Sequence, residues 1–583
     1  MVVGGLLASS SAPAVGQTLA TQPFSGYGSG DVIAVNALNL PPTNIAGLRA
    51  AASGGNVNSA ATGLTAQLNE FGQNVGPARG DKNAYGRGAA VEAGLLTGST
   101  QPVDINQIIV SGLAEAFAPP PTPLVRAAID IPVNPVLFAR TGAGEAQARY
   151  DVNFCPVGRP LTFGRGFAEN LELLGGGNED DGSIVNPLLG TSTTAGTNRA
   201  TTQSRTVTYM IANGDGTFGL VSETRQTLAP ITVNILGGLG ALLIEVAGEY
   251  GLRTVATGKP GGASVTHLGD PLLTISTVLA GITTPVIGPV SLSNLIGAGG
   301  IALPPALSAL IGLTLGGPPR ALKPAPVGTP PALAANGTSA SGAVDLLRLT
   351  LLGATPPAVD VGLFHMEGAV NVPAGGLKCT IPVSKVASID PVTVGQDFTY
   401  TIKIPSDQAV FSEFFNCDLI NVSAVDTVTT ESGNPRIQLL SASNGGVISG
   451  NTVTWANLGN YVIGQPPITL TINARIPTNS GAGVLRDTVN VNAALGNCRG
   501  SVTDGSDIIQ GSAQIPGIAR LDGSAITGAV TLVGPNVSRG NLAATGGNSW
   551  PLVAGGGFLL AALGLVRLRR RAEMVPSTTT TEA

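Results

Sequence analysis

The chain has 583 residues, of which only 11% are charged while 43% are hydrophobic, and its formal net charge is −5. This composition excludes a largely disordered chain, which would combine low hydrophobicity with high charge. No basic cluster precedes Arg567, which argues against nucleic-acid binding because contacts to phosphates need grouped Lys and Arg side chains. With 81 Gly and 42 Pro, the sequence predicts a β-rich, turn-dense, exported protein whose surface is built from hydroxyl and amide groups.

The chain begins with an apolar segment, and no charged side chain occurs before Asp31. Residues 1–8 have the character of the end of a signal-peptide core, and Ala12-Pro13-Ala14 has the small-residue pattern of a cleavage site. We therefore interpret residues 1–20 as the remaining part of an export signal whose basic beginning lies upstream of Met1. The alternative is a plain disordered N-terminus.

Residues 21–376 are predicted to be a β-rich N-terminal region of one or two domains. Within it, the segment 204–227 alternates apolar and polar residues on both sides of Asn213-Gly214-Asp215-Gly216. Alternation around such a turn sequence predicts a β-hairpin.

Three further segments of this region are predicted to be strands. The segment 242–258 fits both helical and strand spacing, and its glycines favour a strand. Strands are also predicted over 344–352 and 359–372, while the Pro-rich stretches 119–123 and 304–331 are predicted to be loops or polyproline II connections. The apolar residues of the first segment that share one face are Ile244, Val246, Tyr250 and Leu252.

A domain boundary is predicted near Gly375, after which the alternation of apolar and polar residues becomes strict. Apolar side chains alternate with Thr, Lys, Asn and Arg over 397–404 and 468–476, and "DTVNVNA" continues the pattern. A strict period of two predicts strands that are buried on one face only. Strands at this spacing with no helical stretch imply an antiparallel β-sandwich over 377–515, followed by a small-residue linker over 516–541.

The four cysteines are too widely spaced for a zinc site. An even, sparse set in an exported chain is interpreted as two disulfides, with buried free thiols as the alternative. Cys417 with Cys498 is the preferred pair, which leaves Cys155 with Cys379; three pairings are possible, and the sequence alone does not decide between them.

No segment carries a recognisable catalytic motif, and we predict no catalytic residue, no cofactor and no metal site. The acidic stretches 177–183 and 213–219 lack the full pattern of a calcium loop, so solvated turns are the simpler interpretation. His267 and His365 are the only histidines, and each is interpreted as an isolated residue.

The C-terminal segment places three features in a fixed order. The motif Leu542-Ala543-Ala544-Thr545-Gly546 comes first, and an uncharged run of 15 residues from Leu552 to Val566 follows it. As a helix this run spans about 22 Å, which is shorter than the ~30 Å hydrocarbon core of a bilayer. Four arginines that favour the cytoplasmic side then follow: Arg567, Arg569, Arg570 and Arg571.

This order of features resembles the cell-wall sorting signal of Gram-positive surface proteins, here over residues 542–571. In that family a membrane-bound sortase attacks the carbonyl carbon of the motif Thr, here Thr545, with a Cys thiolate. An amine of the wall precursor then resolves the thioester, and the protein becomes amide-linked to peptidoglycan. Ala543 stands where the common motif has Pro, which matches the L-A-x-T-G variant of actinobacteria.

The resemblance implies sortase and peptidoglycan as partners, a transient contact with the membrane, and a cytoplasmic tail over 572–583 before processing. Residues 378–500 also resemble the Ig-like repeat of bacterial surface proteins, through "VGQDFTYTIKI", "NTVTWANLG" and "DTVNVNA". In that family the modules act as spacers or stalks and bring no catalytic residues. Some Gram-positive domains form amide bonds between Lys and Asn or Asp side chains, for which Lys378, Lys385 and Lys403 are the candidates here, although disulfides are the simpler brace.

The sequence therefore predicts an all-β protein in which a large β-rich N-terminal region precedes an Ig-like antiparallel β-sandwich, with a single C-terminal hydrophobic helix. The predicted function is that of a non-enzymatic surface protein, exported and covalently anchored to the cell wall, with a structural or adhesive role. Two alternatives stay open. One is a cell-surface protein that binds or hydrolyses carbohydrate through region 21–376, and the other is a single-pass membrane protein not processed by sortase.

Overall fold

The fold is almost entirely β-strand, with one short helix among the residues that the structure describes, which confirms the all-β prediction. All these residues belong to a compact unit that ends at Val533. The helix predicted over 552–566 lies outside them, and within them no helix is long and apolar enough to cross a membrane. The computed structural model describes residues 22–40, 43–70, 74–95, 109–128, 137–152, 155–173, 189–191, 202–235, 240–279, 282–291, 311–316, 318–326, 328–351, 359–379, 381–496, 520–526 and 530–533.

The strands of the N-terminal region are β1 (Ser25–Leu40), β2 (Thr43–Asn58), β3 (Gln67–Leu68), β4 (Asn74–Gly76), β5 (Ala84–Leu95), β6 (Ile109–Ala118), β7 (Thr122–Ala128), β8 (Leu137–Ala148), β9 (Pro160–Leu173), β10 (Leu189–Thr191), β11 (Thr202–Ala212), β12 (Thr217–Thr227), β13 (Ile231–Ile235), β14 (Gly240–Ala247), β15 (Tyr250–Ala256), β16 (Ala263–Leu268), β17 (Leu272–Leu279), β18 (Ile282–Ser291), β19 (Ile311–Leu315), β20 (Ala332–Leu333), β21 (Ser339–Val344), β22 (Leu347–Leu351), β23 (Val359–Asn371) and β24 (Leu377–Lys378).

The residues from Ser384 to Val533 are here termed the C-terminal module. Its elements are β25 (Ser384–Ala387), β26 (Val392–Thr393), β27 (Asp397–Ile404), the helix α1 (Gln408–Phe414), β28 (Asp418–Gly433), β29 (Gln438–Ala442), β30 (Val447–Ser449), β31 (Thr452–Trp455), β32 (Ile468–Arg475), β33 (Gly483–Gly496), β34 (Arg520–Ile526) and β35 (Val530–Val533).

The first sheet has nine strands within the described residues, in the order β19-β22-β23-β1-β2-β5-β6, with β21 beside β23 and β20 beside β21. Its central strand β1 pairs antiparallel with β2 and with β23, so the beginning of the N-terminal region lies next to its end. The predicted strand over 359–372 is confirmed as β23, whereas the one predicted over 344–352 is interrupted, since Val344 ends β21 and β22 begins at Leu347. The stretch 304–331, predicted as a connection, contains the edge strand β19.

The second sheet has 13 strands within the described residues and contains the predicted hairpin of 204–227. β11 and β12 pair without interruption, which confirms this prediction. Gly214 and Gly216 in the turn both have a φ of 86°, a conformation that glycine adopts without steric cost.

The segment 242–258 differs from the single strand predicted for it. It breaks at Gly248, where φ is 119°. The two resulting strands have different neighbours, since β14 pairs with β13 and β17, whereas β15 pairs with β12 and β16. The apolar side chains predicted to share a face are all buried: Ile244, Val246, Tyr250 and Leu252.

The two large sheets pack face to face at very short range. β2 and β5 of the first sheet contact β8 and β9 of the second. Glycines line this contact, and a Cβ atom built at Gly88 would overlap the carbonyl oxygens of Glu145 and Arg165. The backbones of the two sheets therefore touch here, with no room for a side chain between them.

Hydroxyl side chains fill other parts of the same interface. The Ser53 Oγ lies 2.7 Å from both Ser204 Oγ and Thr206 Oγ1, and Thr206 Oγ1 lies 3.0 Å from Thr224 Oγ1. All four residues are buried. Hydroxyl groups thus also serve inside the protein, because sheets this close leave space only for small side chains.

The C-terminal module is a sandwich of two sheets, ordered β25-β27-β32-β29 and β26-β35-β33-β28-β31-β30, with β34 beside β33. The predicted alternation is confirmed, and the inward residues of β27 and β32, with the residue after β32, are buried: Phe398, Tyr400, Ile402, Ile404, Leu470, Ile472, Ala474 and Ile476. The expectation of a module without a helix is wrong. The Asp407 carboxylate accepts hydrogen bonds from the N–H groups of Ala409 and Val410 and caps the seven-residue helix α1.

The module also extends beyond the predicted end at 515. β34 and β35 lie in the segment 516–541, predicted as a linker, and both pair with β33. This part of the segment is therefore integrated into the sandwich.

Hydrogen bonds connect the module to the N-terminal region. The Arg149 Nε donates to Glu413 of α1 at 2.9 Å, and the Asn416 N–H donates to the Val157 carbonyl at 2.9 Å. β24, at the end of the N-terminal region, pairs with β12 of the second sheet. The two parts therefore form one continuous body.

Two strands of the first sheet each contain a residue with an unusual backbone conformation. Ala51 on β2 and Phe364 on β23 have φ values of 50° and 55°, which non-glycine residues adopt rarely. The pair Asp31↔His365 of β1 and β23 lies beside these two residues. Strained backbone thus coincides with two buried charged residues.

Candidate functional site

The sorting signal predicted from the sequence lies outside the described residues. This holds for the motif 542–546, the apolar run 552–566 and the arginines within 567–571, and also for the predicted export signal 1–20 and the acidic stretch 177–183. Their proposed roles stay predictions.

Cys155 and Cys379 form a disulfide with their Cα atoms 5.6 Å apart. This is the pair that remained after Cys417 was matched with Cys498. Cys417 is also disulfide-bonded, and Cys498 lies outside the described residues. The described part of the chain contains no free thiol.

Asp215 lies in the β11–β12 turn, where the simpler interpretation was a solvated turn. Its carboxylate pairs with Lys259 and accepts a hydrogen bond from the Thr217 Oγ1 at 2.7 Å. These two partners lower the pKa of Asp215 to about 2. The carboxylate is therefore engaged in stabilising the turn.

His267 has a local structural partner. Its Nδ1 lies 2.5 Å from the Tyr250 hydroxyl oxygen, and burial lowers the pKa of this imidazole. His267 is therefore neutral near pH 7.

The interpretation of His365 as an isolated residue is wrong. The side chain is completely buried on β23, with Nδ1 2.5 Å from Asp345 Oδ1 and Nε2 2.6 Å from Glu367 Oε1. Ionised carboxylates only accept hydrogen bonds, so an imidazole that contacts a carboxylate at each nitrogen donates from both. His365 is therefore an imidazolium cation.

A second layer of groups surrounds this cation. Two nitrogens of Arg320 each lie 2.5 Å from a carboxylate oxygen of Glu70, and Arg320 Nη2 lies 2.7 Å from Asp345 Oδ2. The Tyr27 hydroxyl donates to Glu367 Oε2 at 2.9 Å, and the Glu70 N–H donates to Glu367 Oε1 at 2.7 Å. We term the set the His365 cluster: His365, Asp345, Glu367, Glu70, Arg320 and Tyr27.

A second buried ionic group lies beside the cluster in the same sheet. The Arg49 Nε lies 2.7 Å from Asp31 Oδ1 and its Nη1 lies 3.1 Å from Glu92 Oε2, while Arg87 contacts the other oxygen of Glu92. All four side chains are buried. Because Asp31 faces His365 across the β1–β23 pair, the two groups are continuous.

The surrounding charges decide the ionisation of the His365 cluster. Burial alone would lower the pKa of His365, but the carboxylates of Asp345 and Glu367 outweigh burial and raise this pKa to about 10. Burial likewise works to raise the pKa of Asp345, but His365 and Arg320 hold it far below its usual range. Burial raises the pKa of Asp31, and this effect exceeds the opposing effect of Arg49.

Three potential metal ligands belong to this cluster. The ligand atoms of Glu70, His365 and Glu367 lie within 4.8 Å of one another. A metal requires a lone pair on a neutral imidazole nitrogen, yet His365 donates from both nitrogens, and Arg320 binds the Glu70 carboxylate. In this arrangement the residues bind one another, so the cluster acts as an ionic brace inside the sheet.

Lys385 is a buried cation of the C-terminal module. Its Nζ contacts Asp426 and lies 2.5 Å from Asp487 Oδ2, and all three side chains have an exposed fraction of 0%. The ring centroid of Tyr400 lies 4.6 Å from the same Nζ. Lys378 and Lys403, the other two lysines named from the sequence, are exposed.

Burial, together with the neighbouring Asp426, outweighs the opposing effect of Lys385 and raises the pKa of Asp487 to about 7. Burial also raises the pKa of Asp426. With this pKa, a substantial fraction of Asp487 is in its acid form near neutral pH.

The sequence contains a signal for this site that residue spacing alone did not reveal. Asp426 occupies an inward position of the alternating strand β28, between Ala424 and Val428. Asp487 occupies the corresponding position of β33, between Leu485 and Val489. A charged residue in the buried phase of an alternating strand indicates a partner in the core.

Comparisons with known proteins identify no family for this chain, since no family model and no curated protein matches it. The N-terminal domain of the Streptococcus gordonii adhesin Sgo0707 aligns with 58% of this chain and 88% of its own, at 9% identity and a TM-score of 0.17. A Corynebacterium diphtheriae protein described as membrane anchored aligns with 58% of this chain and 94% of its own, at 10% identity and a TM-score of 0.15. Likenesses this low carry no conclusion about activity.

Proposed function

We propose that the protein is a surface protein that sortase attaches covalently to peptidoglycan through the carboxyl group of Thr545. The observation that carries this proposal is the order of the motif 542–546, the short apolar run 552–566 and the arginines that follow. A run of this length holds a chain at the membrane only weakly, which suits a substrate that is transferred to the wall.

We further propose a structural or adhesive role without catalysis. Two groups of buried charged side chains brace the described residues: the His365 cluster ties strands of the first sheet, and Lys385 ties the two sheets of the C-terminal module. Such an arrangement supports a rigid body that displays the N-terminal region outside the wall.

The test is the single substitution Thr545→Ala in the native host, with the rest of the chain unchanged. Wild-type protein should be released from purified walls by a muramidase, whereas the variant should be found in the membrane fraction or the medium. Mass spectrometry of the wild-type fragments should detect a peptidoglycan adduct at the Thr545 carboxyl group.

The matched control is Thr531→Ala, which alters a threonine of β35 upstream of the motif and should leave wall attachment unchanged. Equal wall attachment of wild type and Thr545→Ala would refute the proposal. Recovery of wild-type protein with its arginine-bearing terminus intact would instead favour a permanent single-pass membrane protein.

A further inference from the structure

Lys385 and the two aspartates connect opposite sheets of the module. Lys385 lies on β25, at the edge of the four-stranded sheet, and pairs in register with Ile402 of β27. Asp426 and Asp487 lie on β28 and β33, adjacent strands of the other sheet, where Asp487 pairs with Val428. The three side chains therefore meet in the core between the sheets.

The geometry points to a covalent bond at this site: we propose that Lys385 Nζ and Asp487 Cγ form an intramolecular amide, with Asp426 as the proton-transfer group. The Nζ lies 2.5 Å from Asp487 Oδ2, so the amine is adjacent to the carboxyl carbon that it would attack. The inference is independent of wall attachment, because it concerns residues of the folded module alone.

The bond-forming step balances without any external reactant. The Lys385 ammonium gives a proton to the Asp426 carboxylate, and the neutral amine attacks Cγ of the protonated Asp487 carboxyl group. In the tetrahedral intermediate Asp426 donates its proton to the departing hydroxyl and accepts one from the nitrogen. One water molecule leaves, an amide forms, and Asp426 remains as a neutral acid.

The surroundings favour this chemistry. Complete burial disfavours the charged form of a carboxyl group, so the protonated Asp487 that the amine attacks becomes accessible. The fold also holds the reacting groups in contact, so the reaction step does not include the entropy cost of bringing them together. Tyr400 covers the site on the Nζ side at 4.6 Å.

Peptide mapping of the purified full chain tests the bond directly. After reduction and alkylation of the disulfides, trypsin should not cleave after Lys385, because an acylated lysine is not recognised. The expected product is a branched peptide that joins 379–403 to 487–499 and is lighter than their sum by the mass of one water molecule. Separate peptides 379–385, 386–403 and 487–499, with no branched product, would overturn the proposal.

Two isosteric variants assign the roles. In Asp487→Asn the same amide should form with loss of ammonia, so the branched peptide keeps its wild-type mass. In Asp426→Asn the proton-transfer group is absent, and the branched peptide should decrease at least tenfold. A branched peptide that persists in Asp426→Asn and disappears in Asp487→Asn would contradict this assignment.

Folding of the variants is checked independently of the amide. Each should retain the β-sheet circular dichroism of the wild type and the disulfide between Cys155 and Cys379, detected by non-reducing peptide mapping. If Asp426→Asn fails this check, the wild-type map alone still decides whether the bond exists.

Discussion

His365 is a buried cation that is stabilised by the carboxylates next to it. Transferring an isolated imidazolium into a protein core is costly, but Asp345 and Glu367 neutralise it at contact distance. A buried ion pair of this kind adds little stability relative to an apolar substitute, yet removal of one member leaves an uncompensated charge. The cluster is therefore sensitive to anything that discharges the ring.

We predict that the stability of the protein depends on pH through His365. The pKa of this group is raised from its ordinary value of 6.5 to about 10 in the folded chain. Its contribution to stability is then complete below pH ~6.5 and is lost as the pH rises through ~10. Chemical denaturation at a series of pH values should show the free energy of unfolding falling across this window.

The two histidines provide a matched pair of variants for this prediction. His365→Gln should remove the contribution of His365 to the pH dependence and lower the free energy of unfolding by about 3–5 kcal/mol near pH 7. His267→Gln, which loses one hydrogen bond to Tyr250, should cost about 1 kcal/mol. Equal losses in the two variants would contradict the role assigned to His365.

At this scale the sequence predicts inward-facing apolar residues well and charged clusters poorly. Phe398 and Tyr400 alternate with threonines, and their burial follows from a period of two. Asp345 lies in the connection between β21 and β22, and Glu70 lies in the loop between β3 and β4. No local sequence pattern predicts that these residues lie close to His365. Only Glu367, two residues away on the same strand, was within reach of sequence reasoning.

The close contact of β5 with β8 and β9 limits the size of the side chains that these strands can carry. Gly88 lies where the backbone of β9 and β8 approaches, and the carbonyl oxygens of Arg165 and Glu145 occupy the space that a Cβ would need. Overpacking of a closely packed interface forces backbone shifts and is destabilising.

We predict that Gly88→Ala lowers the free energy of unfolding by about 1–3 kcal/mol, with larger losses if the sheets cannot separate. Gly288→Ala is the control, because this glycine of β18 has open space around its Cβ position. The control should change stability by less than about 0.5 kcal/mol. Thermal unfolding followed by circular dichroism measures both, and similar values would argue against the close approach of the sheets.

The elements themselves were largely predictable, whereas their breaks and extensions were not. The hairpin of β11 and β12 follows from its turn residues, and β27 and β32 follow from strict alternation. The break at Gly248 depends on which neighbouring strand each half finds, which is a property of the whole sheet. β34 pairs with β33 although its small residues are typical of a linker, because a partner strand edge supplies its hydrogen bonds.

The disulfide between Cys155 and Cys379 acts on the whole molecule, because it links residues with a sequence separation of 224. A cross-link that closes a long loop reduces the conformational entropy of the unfolded chain. Both sulfur-bearing side chains are buried, which protects the bond from solvent reductants.

We predict that the double variant Cys155→Ala/Cys379→Ala lowers the free energy of unfolding by about 5 kcal/mol, the chain-entropy estimate for a loop of this length. Guanidinium denaturation of wild type and variant under oxidising conditions measures the difference. A change of less than about 1 kcal/mol would show that the unfolded state gains little freedom when the bond is absent.

The position of this bond also governs how far the protein can be stretched. When the C-terminal end is held and a load is applied near β1, tension crosses from Cys155 to Cys379 through two sulfur atoms and bypasses the intervening chain. Fully drawn out, that chain would add on the order of 750 Å of slack. Under load the protein therefore extends little until a reductant breaks the disulfide between Cys155 and Cys379, after which it lengthens abruptly.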